Sequence, residues 1–314
     1  MIYWGINALN HGHSIAVFKD GELLSNHFGT DDELDSSTIY NSLHWGSPDR
    51  IYWYERPWIK KARQLRAGQW RRAFDLSVLP KQYLNRIRVH YPPVKYTPHH
   101  ASHAAAGYYT SPFNHAAIVV LDAIGEFECA TIWEAKHGEM KKVWSRSYPH
   151  SLGLFYSAFT DLLGLTPVKD EYILQQMSEK GDPRRYRWEI SDYFNGMLNL
   201  TRNLHKGVLD WPHAIETDQD RYDIAAAVQD EFEYQVYQIM TEAKERTGAD
   251  CLVYMGGCAM NSAANKKIVE PMWDYRWSLS NPGDPTSSIG AVLYHEKYRI
   301  KWEGPLAKHI NINV

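Results

Sequence analysis

Three histidines fall within five residues of the stretch TPHHASHAAAGYYTSPF, which runs from Thr97 to Phe113 and reads as the start of a helix. On a helix His99 and His103 stand four residues apart, so their rings project from one face and can share a ligand. Neutral imidazole is the commonest transition-metal donor, and an i, i+4 pair holds two donors rigidly. Alone, such a pair is more often a cap and a surface or core histidine. A third donor is needed, and Asp284 in the turn NPGDPTSS is a candidate carboxylate; its ordinary work there is an Asx-turn or a helix cap. His100 lies on a different face and suits a general base, a phosphate-orienting group or simple packing.

Two junctions add to these residues. In VLDAIGE a buried strand ends in Asp122, and Gly125 and Glu126 open a turn where a carboxylate can face a metal-bound nucleotide or bond to backbone. In YMGGCAMNSAANKKI, Gly256 and Gly257 sit between a strand and a helix, where glycine lets backbone approach a ligand and exposed amides favour an anion. A tight turn without a ligand reads the same way.

The elements that must position these residues follow from periodicity and turn signals. The opening YWGINALNHGHSIAVFKDGELLSNHF reads as two strands turning at Asp20-Gly21, and RIYWYE as a short strand. AAIVVLD (116–122) is a buried strand, and CATIWEA and MKKVWSRSY form a hairpin around Lys136-His137-Gly138. Helices are expected over Ile59 to Phe74, from Ser151 to Leu165, from Asp223 to Arg246, from Cys258 to Val269 and from Ser287 to Tyr298. CLVYM and YRWSLS are strands, and the segment between Asp170 and Asp220 yields no firm assignment.

The chain has 314 residues, 44% of them hydrophobic and 23% charged, a globular composition large enough for one large or two medium domains. Its net charge of −3 gives no global field toward polyanions. Three cysteines, Cys129, Cys251 and Cys258, suit a reducing compartment, and neither a signal peptide nor a run of 18 apolar residues is visible. A cytoplasmic protein without a membrane span is expected.

Together these stretches resemble the NodU/CmcH-type O-carbamoyltransferases, a family that includes the tobramycin carbamoyltransferase. HHASHAAAGYYTSPF is similar to the family's HHxxHAxxAYYxSPF, VLDAIGE to VxDGxGE, and SLGLFYSAFTDLLGLTPVKDEY to SLGxFYxxxTxxLGFxPxxxEYK. MGGCAMNSAANKKI resembles AGGxALNxxANxKI, and NPGDPTSSIGAVL resembles PxxGDxGxAxGAAL. The resemblance implies an α/β, actin-like ATPase fold, with subdomains at 1–114 and 115–314 around a nucleotide cleft. It implies that His99, His103 and Asp284 hold a divalent metal, with iron first and magnesium or manganese as alternatives. Beside that set, His100 and Asp122 are the catalytic candidates, and Gly125, Glu126, Gly256, Gly257 and Asn261 are the candidates for contacts to ATP or a carbamoyl-adenylate. The activity implied is transfer of a carbamoyl group, drawn from carbamoyl phosphate and ATP, to an acceptor hydroxyl. In relatives with complete activity a YrdC-like domain makes the adenylate, and the sequence stops at WEGPLAKHININV, near where that domain would begin; the resemblance leaves three expectations, a separate YrdC-like protein as partner, a further C-terminal half, or a chain that does only the transfer. The family's EER motif appears here as Ser25-Asn26-His27-Phe28, and its EYKxMGLA as EYILQQMS with Ile173 in place of lysine.

Outside those blocks, the window from Trp58 to Lys95 holds ten Lys or Arg against the single acid Asp75, with Trp58, Trp70, Phe74 and Tyr83 interleaved. Cations neutralise phosphates and rings stack on bases, so this insertion suits a nucleotide or DNA acceptor such as a hydroxymethylated pyrimidine; a solvated helix face and a sugar or antibiotic acceptor are the alternatives. Rival classes are a tRNA threonylcarbamoyl transferase, which shares HxxxH and the fold, and a non-catalytic nucleotide-binding subunit.

Overall fold

The computed structural model describes residues 1–10, 12–89 and 92–305; the end of the WEGPLAKHININV stretch, 306–314, lies outside them. Ten strands form two five-stranded mixed sheets. The first contains β1 (Ile2–Asn10), β2 (Gly12–Lys19), β3 (Glu22–Gly29), β4 (Arg50–Trp53) and β5 (Val94–Tyr96), in the order β3-β2-β1-β4-β5. The second contains β6 (His115–Gly125), β7 (Glu128–Lys136), β8 (Glu139–Ser147), β9 (Cys251–Met255) and β10 (Tyr275–Trp277), in the order β10-β9-β6-β7-β8. Read from the other edge, the second order is the first. In each sheet the first three strands run antiparallel and the next two join parallel to the leading strand. This duplicated α/β plan is the actin-like ATPase fold.

Local sequence explains the hairpins. Asp20 and Gly21 both have positive φ, as do His137 and Gly138, which is the type I′ geometry that matches strand twist. The two turns occupy equivalent places, β2 to β3 and β7 to β8. The opening segment is three strands and not two, because the chain also reverses between Asn10 and Gly12, where uninterrupted polar residues hide the break.

Two helices lie between the sheets: His99–Thr110 and Ser287–Glu296. One core joins them to the first sheet and to Ile118, Val120, Val253 and Met255 on the near face of the second. The far face, with Ala117, Val119 and Leu121, packs on the helices Leu152–Leu162 and Asp218–Thr247. The alternation along β6 follows from the period of two that points successive side chains to opposite faces. The long helix starts with a Thr217/Asp220 capping box and ends at left-handed Gly248. Ser151 caps its neighbour by accepting from the Leu154 amide.

Glycines set how closely the central helices approach. A Cβ on Gly290 would lie 1.7 Å from the Ser102 carbonyl oxygen, and one on Gly5 of β1 would lie 1.8 Å from that of Ser288. The Ser287–Glu296 helix is thus wedged between β1 and the histidine helix.

The basic window is broken where a single helix is expected. Pro57–Arg66 and Trp70–Phe74 are separate helices, divided at Gly68, whose φ of +72° is incompatible with a continuous helix. A third, Pro80–Arg86, follows. After the Gly256-Gly257 turn the chain makes a 3₁₀ turn over Gly257–Met260, and helix proper begins only at Ser262. The unassigned segment contains two short helices, Glu171–Ser178 and Arg187–Ser191.

Candidate metal centre

His99 and His103 project from the first two turns of their helix, and their Nε2 atoms lie 3.1 Å apart. Asp284, in the turn that enters the second central helix, places Oδ1 3.3 Å from each of them. The three segments expected to converge do so. A fourth donor joins them: Asp122 Oδ2 lies 3.2 Å from His99 Nε2 and 3.7 Å from His103 Nε2. One atom from each of the four residues fits within a span of 4.8 Å.

Both carboxylates are pinned through their other oxygen. Asn10 donates from Nδ2 to Asp284 Oδ2 at 3.0 Å, and the Ala123 amide donates to Asp122 Oδ1 at 2.8 Å. Each therefore presents one free oxygen to the imidazoles, as outer contacts do for metal ligands. The histidines are buried and the carboxyl groups nearly so. Burial disfavours the charged forms, yet here the opposite charges prevail. Burial pulls the His99 imidazolium down, but Asp284 and Asp122 hold its pKa well above the ordinary value. Burial raises Asp122, but the hydrogen bond and charges of the histidines bring it to about 2, and Asp284 is depressed further for the same reason. The pocket stores two negative charges and demands positive charge between them.

The donor set fits a cation. Four ligands about 2.1 Å from one ion stand about 3.4 Å apart in a tetrahedron. The five separations that involve a histidine, 3.1 to 3.7 Å, bracket that edge, while the two carboxylates stand wider within the 4.8 Å span of the set and would close on an ion. Two imidazoles with two carboxylates suit iron or manganese better than magnesium, which prefers oxygen alone.

His100 is not one of the four donors, and its ring lies 5.9 Å from that of His99. Its Nδ1 lies 3.1 Å from Thr131 Oγ1 on β7, its Nε2 has no hydrogen-bond partner among the described residues, and burial followed by the charge of His99 holds it neutral. Gly125 packs against both rings, since a Cβ there would lie 2.2 Å from His99 Cδ2. Gly257 faces Asp122 and leaves only 3.2 Å between a hypothetical Cβ and Oδ1.

Other expected residues are engaged elsewhere. Glu126 is buried at positive φ and takes hydrogen bonds from the Arg56 amide and guanidinium, so its carboxylate ties the insertion to the second sheet. Gly256 is required by packing, because a Cβ would lie 2.1 Å from the Leu121 carbonyl oxygen. Asn261 caps the helix that starts at Ser262 and exchanges two hydrogen bonds with Gln229.

Sequence reasoning did not single out Asn10, Asn7 or Tyr54. Tyr54 ends in a buried hydroxyl beside Glu55, its ring lies tilted against His99 with centroids 5.3 Å apart, and it feels the charges of Glu55, Asp284 and Asp122. Asn7, on the same β1 face as Gly5, is buried with both amide atoms unpartnered among the described residues. Polar residues inside the otherwise apolar strands WGINALN and IYWYE were the available signal.

Comparison with known proteins is consistent with this arrangement. The model of the family described as carbamoyltransferase N-terminus matches residues 49–293. An uncharacterised protein of Synechocystis is 30% identical over 224 residues, 64% of this chain and 36% of its own length. The nodulation protein NolO of Bradyrhizobium diazoefficiens is 26% identical over 205 residues, 62% of this chain and 37% of its own. The nodulation protein NolNO of Sinorhizobium fredii is 26% identical over 185 residues, 56% of this chain and 27% of its own. The chain spans about a third of the length of the curated relatives it matches. Among solved structures, full-length HypF in its phosphate- and nucleotide-bound form aligns over 94% of this chain and 55% of its own, at 11% identity and a TM-score of 0.49. Component A of the Acidaminococcus fermentans (R)-2-hydroxyglutaryl-CoA dehydratase aligns over 95% and 99%, at 14% identity and a TM-score of 0.48. No helix among the described residues is long and apolar enough to cross a membrane. With more than two thirds of its residues inside the family match, and the family's histidine and aspartate blocks meeting at one point, the chain belongs to the carbamoyltransferase N-terminus family.

Proposed function

We propose that this chain is an O-carbamoyltransferase of the NodU/CmcH type that binds a divalent cation, iron first, together with ATP or carbamoyl-adenylate, and passes the carbamoyl group to an acceptor hydroxyl. The observation that carries the reading is the convergence of His99, His103, Asp122 and Asp284. A cation held by these four supplies positive charge for the phosphate oxygens of the leaving nucleotide. Asn10 and the Ala123 amide hold the carboxylates in place. The first turns of both central helices open toward the cluster, with Ser287 Oγ 3.4 Å from His103, and their positive ends favour a phosphate. Gly125 keeps a side chain off the His99 and His100 rings, and Gly257 keeps one off Asp122. His100 is the proposed base, since its Nε2 is uncommitted while Thr131 fixes the ring from the other side.

For the acceptor we propose a hydroxymethylated pyrimidine, in DNA or as a nucleotide. Support comes from the basic insertion, which docks beside the site: Arg63 donates to the Glu126 carbonyl at 3.2 Å, and Gln69 meets His205 at 2.8 Å. The carbamoyl donor is carbamoyl phosphate with ATP, activated by this chain or by a separate YrdC-like protein.

The test incubates the protein with ATP, carbamoyl phosphate, ferrous or manganous ion and a panel of hydroxyl acceptors, with and without a YrdC-like protein. An acceptor mass increased by one carbamoyl group, dependent on ATP and ion, supports the reading. Threonylcarbamoylated tRNA selects the tRNA-modifying class instead. Binding of ATP and ion with no transfer to any acceptor selects a non-catalytic subunit.

A further inference from the structure

The first half of the insertion, Trp58 to Asp75, separates its six cations into two populations. Lys60, Lys61 and Arg63 are tied inward, to Glu55, to the carbonyls of Arg72 and Asp75, and to the Glu126 carbonyl. Arg66, Arg71 and Arg72 are exposed and form no ion pair among the described residues. Between them, on the short helix Trp70–Phe74, two large rings stand in solvent: Trp70 is 61% exposed and Phe74 69%. The rings are nearly parallel, 15° apart, with centroids 6.4 Å apart. The sole acid of the window, Asp75, accepts bonds from Ser77. Of the ten cations in the window, Arg66, Arg71 and Arg72 thus stand exposed and unpaired around the two rings, in a chain whose net charge is −3.

We propose that this ridge is a grip for a single nucleic-acid strand, with bases stacking on Trp70 and Phe74 and phosphates on Arg66, Arg71 and Arg72. The proposal rests on the acceptor reading above and deepens it. Exposed flat rings flanked by unpaired guanidinium groups match a polyanion that carries an aromatic face at every repeat. The strand is single because the donor cluster is buried, so a base must leave its duplex stack to reach it, a cost that a single strand does not meet. The ridge is connected to the cluster: Gln69 touches Arg63, Arg63 touches Glu126, and Gly125 packs on His99.

The test is fluorescence anisotropy of the full chain with a labelled single-stranded oligonucleotide, without ATP, donor or ion, at several salt concentrations. Trp70→Ala and Phe74→Ala are each expected to weaken binding about tenfold. Arg66→Gln, Arg71→Gln and Arg72→Gln combined should flatten the salt slope by about 2. Absence of salt-dependent binding, or binding indifferent to these exposed substitutions, overturns the proposal. So does a ridge whose ring substitutions change only the oligomeric state in sedimentation, which marks a protein contact. Carbamoylation of a free hydroxymethyl nucleotide without strand binding would leave the function and remove the grip; strand binding with no transfer would do the reverse.

Discussion

Replacing Gly290 by alanine tests whether the wedged helix sets the donor geometry. The new Cβ would stand 1.7 Å from the Ser102 carbonyl oxygen and 2.8 Å from the Ala106 nitrogen, both backbone atoms of the histidine helix. Backbone cannot rotate away as a side chain does, so the two helices must part by about 1.5 Å to restore ordinary contact. Alanine's better helix propensity returns about 1 kcal/mol, while overpacking a close contact costs about 1–3 kcal/mol and more where backbone must move. The expected net loss is about 2 kcal/mol in urea unfolding. The geometric consequence is more specific. Asp284 rides on the turn that enters this helix, so its Oδ1, now 3.3 Å from both Nε2 atoms, would retreat toward roughly 4.8 Å. Both histidine–Asp284 separations would then be wider than a coordination edge, and manganous or ferrous affinity by calorimetry is expected to fall at least about tenfold. Should G290A keep wild-type stability and affinity, the helix crossing does not hold the site and the argument is wrong.

Further outcomes follow from the same contacts. Asp122→Asn keeps the size of the side chain and removes its charge, and is expected to lower ion affinity about 100-fold; Asn10→Ala, which only frees Asp284 Oδ2, is expected to lower it about tenfold, both read by titration with manganous ion. Arg56→Ala strands the buried Glu126 with the Arg56 amide as its remaining donor, and should cost about 2 kcal/mol in urea unfolding; an unchanged midpoint would show that the clamp contributes nothing. Burial raises Glu231 to about 7 from 4.5, so the folded chain keeps a proton that the unfolded chain loses across that window, and stability falls as pH rises through it. Glu231→Gln should therefore stabilise by roughly 1 kcal/mol above pH 7, after allowance for solvent screening, and by nothing near pH 4, while Gln235 can still donate to the new side chain. An equal gain at both pH values would refute that assignment.

The parts of this molecule legible from sequence are those fixed by neighbours in the chain. The helix beginning at His99, the buried strand ending near Asp122 and the two type I′ hairpins depend on local periodicity and turn residues, and the structure contains them. Asp284 converges on the histidines as its family block implied. The role of Asp122 beside them was not legible, because it depends on how β6 meets a helix from the other half. Gly256 carries no sign in sequence that its missing side chain makes room for the Leu121 carbonyl and not for a ligand. Asn261 has the residue type of a ligand contact, yet a local helix cap at Ala264 and a tertiary partner, Gln229, take its amide, and sequence reports only the first. The short helices near Tyr172 and Trp188 gain their order from packing on the Asp218–Thr247 helix, which no local signal reports.

The repeated strand order gives the molecule an approximate two-fold axis. His99 follows β5 and Asp284 follows β10; Asn10 closes β1 and Asp122 lies near the end of β6. Matching positions of the two repeats thus supply the cluster. His99 and His103 come from one repeat and Asp122 and Asp284 from the other, so neither half owns a complete donor set. A cation bound there would stitch the two repeats together as well as serve the chemistry.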